Sequence, residues 1–204
     1  MDQNTTTPSR KARHNARVRA NVIDAAGRAF RAYGYAGVSV DAVMTDAGLT
    51  RGAFYAHFAS KAALFAEVLA VNHPLLAMLQ RRSEASPDSL WLGLRRIFSD
   101  YLDPAHHDTI RTGCTLAALT ADAARATPEA KAGYSGARSA ILAEMARGQP
   151  VPATDPRYSA ILTLAAGAVA MAAACDGDAA KRDILAAAAE TVKALFDAID
   201  ATPA

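Results

Sequence analysis

The residues at positions 50–53 have the clearest chemistry in the sequence. Thr50 and Arg51 begin a short predicted helix, and the Arg51 guanidinium can donate two parallel hydrogen bonds to O6 and N7 of guanine. Gly52 and Ala53 lack bulk, so a backbone that carries them can approach base edges and leave room for methyl contacts with thymine. We expect Arg51 to contact a base, with a phosphate contact as the alternative. The pattern is typical of a helix whose N-terminus enters the DNA major groove.

Two further residues lie where phosphates bind proteins, at the starts of predicted helices. Lys61 begins a fourth helix, and Ser39 precedes a short second helix. The N-terminus of a helix attracts anions, and lysine and serine side chains are common phosphate partners. We expect both residues to contact the DNA backbone.

No other group of residues in the sequence predicts catalysis or metal binding. The sequence has no G-x-S-x-G, no Gly-rich phosphate loop, no H-E-x-x-H and no Cys/His cluster with zinc spacing. His106 and His107 are adjacent, so their side chains point apart, and the carboxylates form no identifiable acid–base pair. We expect no catalytic residue, no metal and no cofactor, although an enzyme on a helical scaffold remains the alternative class.

The elements that position residues 39–61 are predicted to be helices. Apolar residues recur at helical spacing over about 14–33, 40–46 and 51–57, and Gly48 lies in the turn before the third helix. Three helices of which the last two are short and joined by a glycine turn form a helix-turn-helix. The sequence predicts a disordered basic tail at 1–13, this DNA-binding domain at 14–61, and a second domain at 62–204.

The second domain is also predicted to be helical throughout, and no segment has the pattern of a strand. Proline and glycine breaks divide it into helices at about 61–72, 74–82, 89–102, 115–124, 128–147, 155–175 and 178–200. The fold class is therefore all-α, with about nine helices. The last two helices are rich in alanine, and a pair of this kind can form a four-helix bundle with its copy from a second subunit.

Charge is divided unevenly along the chain, although its formal net charge is only +2. Residues 1–61 contain nine Lys/Arg and four Asp/Glu, whereas the remainder contains thirteen and sixteen. A basic first segment suits a protein that touches a polyanion with one end, and a solvated basic tail is the alternative. The N-terminus lacks the apolar segment of a signal peptide, no run of about 18 apolar residues occurs, and the chain has only two cysteines, so we expect a cytoplasmic protein without membrane contact.

Residues 22–69 resemble the DNA-binding domain of the TetR/AcrR family of transcriptional regulators. The matching text is VIDAAGRAFRAYGYAGVSVDAVMTDAGLTRGAFYAHFASKAALFAEVL, and its most specific part runs from Ala47 to Phe58. The resemblance implies that Tyr55 and His57 contact the DNA backbone and that the protein is a homodimer on a palindromic operator in double-stranded DNA. One recognition helix alone reads too few base pairs for useful specificity. We expect the dimer to form through helices 155–175 and 178–200.

The resemblance also implies a ligand pocket in the second domain. A small-molecule effector would favour a conformation whose recognition helices are wrongly spaced for DNA, and the operator would be released. Repression is the expected mode, and ligand-responsive activation is the alternative. The candidate pocket residues are Trp91, Phe98, Tyr101, Cys114, Leu116, Tyr134, Met145 and Met171.

Cys114 has two interpretations. It is predicted to lie in the first turn of a helix, capped by Thr112 or Gly113 and near Arg111, where the helix N-terminus and a cation favour the reactive thiolate. The Gly-Cys pair resembles a subgroup of the family that includes the repressor of the N-ethylmaleimide reductase operon, whose members include sensors of electrophiles and oxidants. The alternative is a small buried residue with a packing role only. Cys175 follows a helix C-terminus and is expected to be less reactive.

Overall fold

The computed structural model describes residues 9–82, 84, 86–106 and 113–202, and within them the chain is α-helical without a strand. A 3-10 turn covers Pro104–His106. The α-helices whose bounds lie in the described residues are α1 (Arg10–Tyr33), α2 (Val40–Asp46), α3 (Arg51–Phe54), α4 (Lys61–Val71), α5 (Pro74–Gln80), α6 (Pro87–Leu102), α7 (Thr115–Ala124), α8 (Pro128–Ala146), α9 (Pro156–Ala174) and α10 (Asp178–Asp200). The predicted all-α class with an N-terminal helix-turn-helix is confirmed.

Serine or threonine hydroxyls cap the starts of five of the ten described helices. Ser39, Ser60, Ser86 and Thr127 each accept a hydrogen bond from the backbone N–H three residues further on. Such a cap satisfies one of the N–H groups that a helix leaves without a partner in its first turn. These caps explain why the predicted starts of α2 and α4 agree with the observed ones.

Helix α1 begins four residues before its predicted start. Ser9 accepts a hydrogen bond from the Ala12 N–H, and the helix runs from Arg10 for 24 residues. Residues 10–13 are therefore helical, although the sequence predicted a disordered tail there, because the cap at Ser9 was not recognised. Residues 1–8 of that predicted tail lie outside the described residues.

The first three helices share their core with α4, α7 and α8. Phe30 of α1 packs edge-on against Phe65 of α4 at 5.1 Å between ring centroids, and Phe54 of α3 is fully buried in the same cluster. Leu119 of α7 and Ala130 of α8 complete this cluster. The first three helices thus rest directly on α4, α7 and α8.

A second core lies among α5–α10, and α9 and α10 form an antiparallel pair at its edge. Arg157 at the start of α9 donates to the Ala198 carbonyl near the end of α10 at 2.6 Å, which ties the ends of the pair together. Gly177 links the two helices at a φ of 90°, a conformation that residues with a side chain rarely adopt. The pair packs against α6 on one side.

Two segments, Lys61–Gln80 and Pro156–Ala174, are long and apolar enough to cross a membrane by length and composition. Core helices of soluble proteins pass the same test. The first segment is also interrupted, because α4 ends at Val71 and α5 begins at Pro74.

Candidate nucleic-acid interface

The turn between α2 and α3 is as tight as the sequence predicted. Gly48 has a φ of 69°, and the Leu49 N–H donates to the Met44 carbonyl at 2.8 Å. Helix α3 itself is shorter than predicted, since regular α-helix ends at Phe54 and residues 55–57 form a turn. His57 and Phe58 both donate to the Phe54 carbonyl, which closes the segment.

Two phenylalanines fix α3 to the domain. Phe54 is fully buried and Phe58 nearly so, and their rings stack at 5.6 Å between centroids. The opposite side of α3 is in solvent, with Thr50, Arg51 and Gly52 all exposed. The packing thus presents the N-terminus of α3 outward, as a recognition helix requires.

Arg51 lies at the exposed start of α3 and pairs with an acid of α2. Its Nη1 is 2.8 Å from Oδ2 of Asp41, and both side chains are more than half exposed. Thr50 occupies the N-cap position of α3, but its hydroxyl makes no capping hydrogen bond. The Thr50 hydroxyl and the Arg51 guanidinium therefore both face the solvent in front of the helix.

Gly52 is not required by the packing of the domain. A Cβ built at this position would meet no atom closer than the Thr50 hydroxyl, at 4.0 Å. Ala53, beside it, is half-buried against the core. The absence of a side chain at Gly52 therefore leaves open space on the outer side of α3.

Tyr55 and His57 follow α3 in the turn. Tyr55 is exposed, and its ring packs edge-on against that of Phe54 at 5.2 Å between centroids. His57 is half-buried, with its ring centroid 6.4 Å from that of Phe58. Both side chains lie on the same short segment as Arg51.

The two residues predicted as phosphate partners lie at helix starts. The Ser39 hydroxyl is exposed and accepts the Ala42 N–H at 3.1 Å, so its own proton can be donated to another group. The Lys61 ammonium lies 4.3 Å from the centroid of the Tyr35 ring. This cation–π contact was missed in the sequence because it joins positions that only the fold brings together.

The candidate pocket residues fall into two groups. Six of them are buried in the second core, namely Trp91, Phe98, Tyr101, Cys114, Leu116 and Met145, and Tyr134 is half-buried against it. Met171 is different, since its side chain on α9 is 62% exposed. Its inclusion among residues that line an interior pocket is therefore wrong for the single subunit.

Cys114 is more deeply placed than the sequence suggested. It is the N-cap residue of α7 and not part of its first turn, and its Sγ accepts the Ala117 N–H at 3.5 Å. Burial raises the pKa of the Cys114 thiol, although its hydrogen bonds and Arg31 act in the opposite direction. The expected reactive thiolate is therefore not favoured in this conformation. Arg111 and Thr112 lie outside the described residues.

Two buried polar atoms of the second core, the indole N–H of Trp91 and the hydroxyl of Tyr158, have no hydrogen-bond partner among the described residues. The buried Tyr101 hydroxyl interacts with the Cys114 thiol. Burial raises the pKa of Tyr158 to about 12 and that of Tyr101 well above its usual value, so both hydroxyls stay protonated and can donate. Tyr158 was missed in the sequence because nothing in its neighbourhood distinguishes it from an ordinary core residue. Buried donors of this kind normally have a partner.

A groove opens on the surface beside these aromatic residues. It lies between α6 and α10, has a volume of about 470 Å³, and is lined in part by Phe98 and Phe196. Phe196 packs edge-on against Trp91 at 5.3 Å. The groove thus adjoins the cluster that holds the unpartnered Trp91 donor.

Polar contacts join α1 to the second domain. Arg31 of α1 donates to the Asn72 side chain at 2.5 Å and to the Thr115 hydroxyl at 3.4 Å. Asn72 in turn donates to Asp24 at 2.7 Å, and its carbonyl accepts the Thr115 hydroxyl at 2.5 Å. These contacts connect α1, the junction of α4 and α5, and the start of α7.

Among the described residues, no group of three or more His, Cys, Asp and Glu could hold a metal ion. His107, one of the two adjacent histidines, lies outside these residues.

Comparison with known proteins identifies the N-terminal segment and the fold. Residues 22–68 match the sequence model of the bacterial regulatory proteins of the tetR family. A TetR-family transcriptional regulator from Cytophaga hutchinsonii superposes with a TM-score of 0.66 at 20% identity, over 97% of this chain and 100% of that one. No curated protein sequence matches the chain.

Two further solved structures are similar. The reduced form of NemR from E. coli has a TM-score of 0.62 at 18% identity, over 87% of this chain and 96% of that one. The multidrug binding protein EbrR, solved in complex with proflavin, has a TM-score of 0.55 at 26% identity, over 87% of this chain and 99% of that one. The predicted resemblance of the sequence is thereby confirmed.

Proposed function

We propose that this chain, which belongs to the TetR family of transcriptional regulators, is a homodimeric repressor that a small-molecule effector releases from a palindromic operator. The observation that carries the proposal is the exposed N-terminus of α3, where Arg51 and Gly52 face solvent on a helix fixed by Phe54 and Phe58. A guanidinium in that place can reach a guanine edge in the major groove.

In this proposal the eight residues of the interface have separate roles. Thr50, Arg51, Gly52 and Ala53 approach base edges, because they form the outer start of α3. Tyr55, His57, Lys61 and Ser39 hold phosphates on either side and so fix the register of the helix in the groove. We place the DNA-binding domain at residues 14–61 and the effector and dimerisation domain at 62–204.

The exposed faces of α9 and α10 support dimerisation. On α9 the exposed residues Ala160, Thr163, Gly167 and Ala170 are spaced by three or four positions, and Met171 lies beside them. On α10 the outer side includes Ala187, Thr191 and Ala194, next to the half-buried Ile184 and Leu195. Small residues let helices of two subunits approach closely, and Met171, exposed in the single subunit, would be covered in the dimer.

The buried donors of the second core support a non-covalent effector. Trp91 and Tyr158 offer two unpartnered donors within the second core, so a ligand with an apolar body and hydrogen-bond acceptors would satisfy them. EbrR binds proflavin, a planar aromatic compound, on a fold of the same kind. The contacts of Arg31 with Asn72 and Thr115 would carry a displacement of α7 to α1 and thus to α3.

Thiol modification at Cys114 is the second candidate mode of release. A buried thiol with a raised pKa reacts slowly, which favours the non-covalent effector. Release of DNA by N-ethylmaleimide from the wild type, but not from Cys114→Ser, would establish the thiol mode. Equal behaviour of the two proteins would leave the non-covalent one.

Selection of bound DNA tests the proposed function. Purified full-length protein is mixed with sheared genomic DNA from its source organism, and the bound fragments are sequenced. We expect the fragments to share a two-fold symmetric sequence, with half-sites about one helical turn apart. Transcription from a bound promoter should fall when the protein is added, and a rise would indicate an activator. Fragments without a shared sequence would contradict the proposal. A cytoplasmic location follows from the need to reach the chromosome.

A further inference from the structure

We infer that Asp122 of α7 is a positioning residue for DNA binding, which acts through Tyr35 to hold Lys61 where it meets a phosphate. The inference rests on the proposed DNA contact of Lys61, and it adds to that contact a residue of the second domain. Asp122 itself would not touch DNA. Its effect passes through two contacts, a hydrogen bond to the backbone of Tyr35 and the cation–π contact between Tyr35 and Lys61.

The hydrogen bond joins α7 to the loop between α1 and α2. Oδ2 of Asp122 accepts the Tyr35 N–H at 3.2 Å, although the two residues are 87 positions apart in the sequence. Gly34 turns the chain into this contact with a φ of 71°, and a Cβ built there would lie 3.3 Å from the same carboxylate oxygen. The Asp122 side chain is only 23% exposed, so its carboxylate is partly shielded from water. Hydrogen bonds to charged acceptors are among the stronger ones in proteins.

Tyr35 carries this restraint on to Lys61. The centroid of its ring lies 4.9 Å from that of Phe65 and 5.9 Å from that of Phe30, so the ring packs against the core of the first three helices. The Lys61 ammonium lies 4.3 Å from the centroid of the same ring. A ring face attracts a cation without removing its N–H donors, so an ammonium in this place can still donate to a phosphate. The position of the Tyr35 ring therefore sets the position of the Lys61 charge.

Packing alone leaves the Tyr35 ring room to move. A groove of about 330 Å³ opens beside the ring, and Phe65 and Asp122 also line it. Asp122 has less freedom, because Leu119 and Ala123 on the same helix are buried in the core of the first three helices. A fixed acceptor on α7 thus holds a loop that the groove would otherwise allow to shift.

Electrostatics alone predicts the opposite effect of removing Asp122. A carboxylate repels a polyanion, so its loss should raise the affinity for DNA. If Asp122 holds Tyr35 and thereby Lys61, its loss should instead lower the affinity. The sign of the change in affinity therefore separates positioning from charge.

The salt dependence of DNA binding tests the inference. Full-length Asp122→Ala and Asp122→Asn proteins are titrated with the duplex selected by the wild type and with its scrambled version, between about 50 and 200 mM salt. Asp100→Ala is the matched control, because Asp100 of α6 lies 3.9 Å from Arg96, as Asp122 lies 3.9 Å from Arg125. Both alanine changes thus remove one carboxylate and one weak arginine contact from the second domain.

We expect Asp122→Ala to lose between about one and two units of the slope of log K against log salt per dimer, since each phosphate contact contributes about 0.9. Its affinity should fall by a similar factor for both duplexes, because a phosphate contact carries no sequence information. Asp122→Asn should keep the wild-type slope, since its amide oxygen can still accept the Tyr35 N–H. In a Lys61→Ala protein, Asp122→Ala should lower the slope no further. Asp100→Ala should not lower it at all.

Tyr35 offers a second test that leaves Asp122 in place. Tyr35→Leu removes the ring beneath the Lys61 ammonium and should lose the same part of the slope, whereas Tyr35→Phe keeps the ring and should bind like the wild type. The melting temperature of each variant is measured alongside, so that a loss of fold is recognised.

Three results would overturn the inference. They are an Asp122→Ala protein with the slope of Asp100→Ala, an Asp122→Asn protein as weak as Asp122→Ala, and a Tyr35→Leu protein with the wild-type slope. A Lys61→Ala protein with the wild-type slope would instead contradict the proposed phosphate contact of Lys61. Failure of the inference and failure of the proposed function are therefore distinguishable.

Discussion

Asp41 of α2 holds Arg51, the first residue of α3, through an ion pair of 2.8 Å that spans the turn between the two helices. In the proposed interface, this pair would orient the guanidinium before DNA binds and would lower the positive charge that the interface presents. Because both side chains are largely exposed, the pair contributes at most about 1 kcal/mol to stability. Its main effect should therefore be on recognition.

Replacing Asp41 by Asn should change the affinity for DNA in general and the preference for the selected sequence in opposite directions. Loss of a carboxylate beside the DNA phosphates should raise the affinity for a scrambled duplex. Because Arg51 would then be less constrained, the ratio of the affinity for the selected duplex to that for the scrambled duplex should fall. Titration with each duplex measures this ratio of affinities, and the melting temperature of the protein should be unchanged. Asp46→Asn is the matched control, because Asp46 pairs with Arg28 of α1 at 2.8 Å and not with Arg51. An Asp41→Asn protein that discriminates like the wild type would refute the orienting role.

Gly52→Ala should fold normally and bind DNA poorly. The nearest atom to the new Cβ is 4.0 Å away, so the protein has room for it, and alanine is the better helix former. The added methyl group would occupy the space that the base edges need. Melting and duplex titration are measured together with Gly136→Ala, an exposed glycine of α8 with open space around it. Unchanged affinity for the selected duplex would show that α3 does not approach the bases at this position.

Gly167→Leu should weaken the dimer without harming the subunit. A Cβ at Gly167 meets no atom within 4 Å in one subunit, yet a leucine there would hold the α9 helices of two subunits apart. Sedimentation at micromolar concentration should show more monomer and operator binding should fall. Gly136→Leu makes the same change in equally open space on α8 and should stay dimeric. Leu195 gives a less direct test, because its side chain also packs against the core of its own subunit. A Gly167→Leu protein as dimeric as the control would place the interface elsewhere.

The helices were predictable to the extent that local residues determine them. Serine caps and apolar periodicity predicted the bounds of α2 and α4 closely, because both signals lie within a few residues of the helix itself. Contacts between distant segments were not predictable, and Lys61 over Tyr35 is an example. Met171 was misplaced because the C-terminal half of α9 is mostly alanine, so large apolar residues do not mark the buried face there as Tyr158 and Ile161 do in the N-terminal half.

The residues of the candidate DNA interface were predictable from the sequence, whereas the burial of individual residues in the second core was not. The residue types of α3 indicated DNA contact, but the depth of Cys114 depends on the packing of α6 and α7, which determines whether the thiol is buried. That the Tyr158 hydroxyl is buried without a partner could not be predicted from the sequence for the same reason. Burial of single polar groups is a property of the assembled core and not of the local sequence.

His73 should make the protein less stable in mild acid. Burial lowers the pKa of His73 below its ordinary value of 6.5, and the ring Nε2 hydrogen-bonds to the Leu69 carbonyl at 2.7 Å. The unfolded state therefore binds the proton more readily, so the free energy of unfolding should decrease as the pH falls below about 6.5. Denaturant unfolding at pH 7.5, 6.5 and 5.5 measures this decrease. His73→Gln should flatten it, whereas the exposed His106→Gln should retain it. Equal pH dependence in the wild type and His73→Gln would exclude His73 as its source.

The central claim is that the N-terminus of α3 reads DNA sequence while Lys61 holds the backbone, and the affinities of Arg51→Ala and Lys61→Ala test it most directly. Each variant is titrated with the duplex selected by the wild type and with its scrambled version, at two salt concentrations. Arg51→Ala should lose about 1–3 kcal/mol of binding free energy per half-site on the selected duplex and less on the scrambled one. The preference for the selected over the scrambled duplex should therefore decrease. Lys61→Ala should weaken binding to both duplexes alike and flatten the salt dependence. Equal losses by both variants on both duplexes would contradict the account.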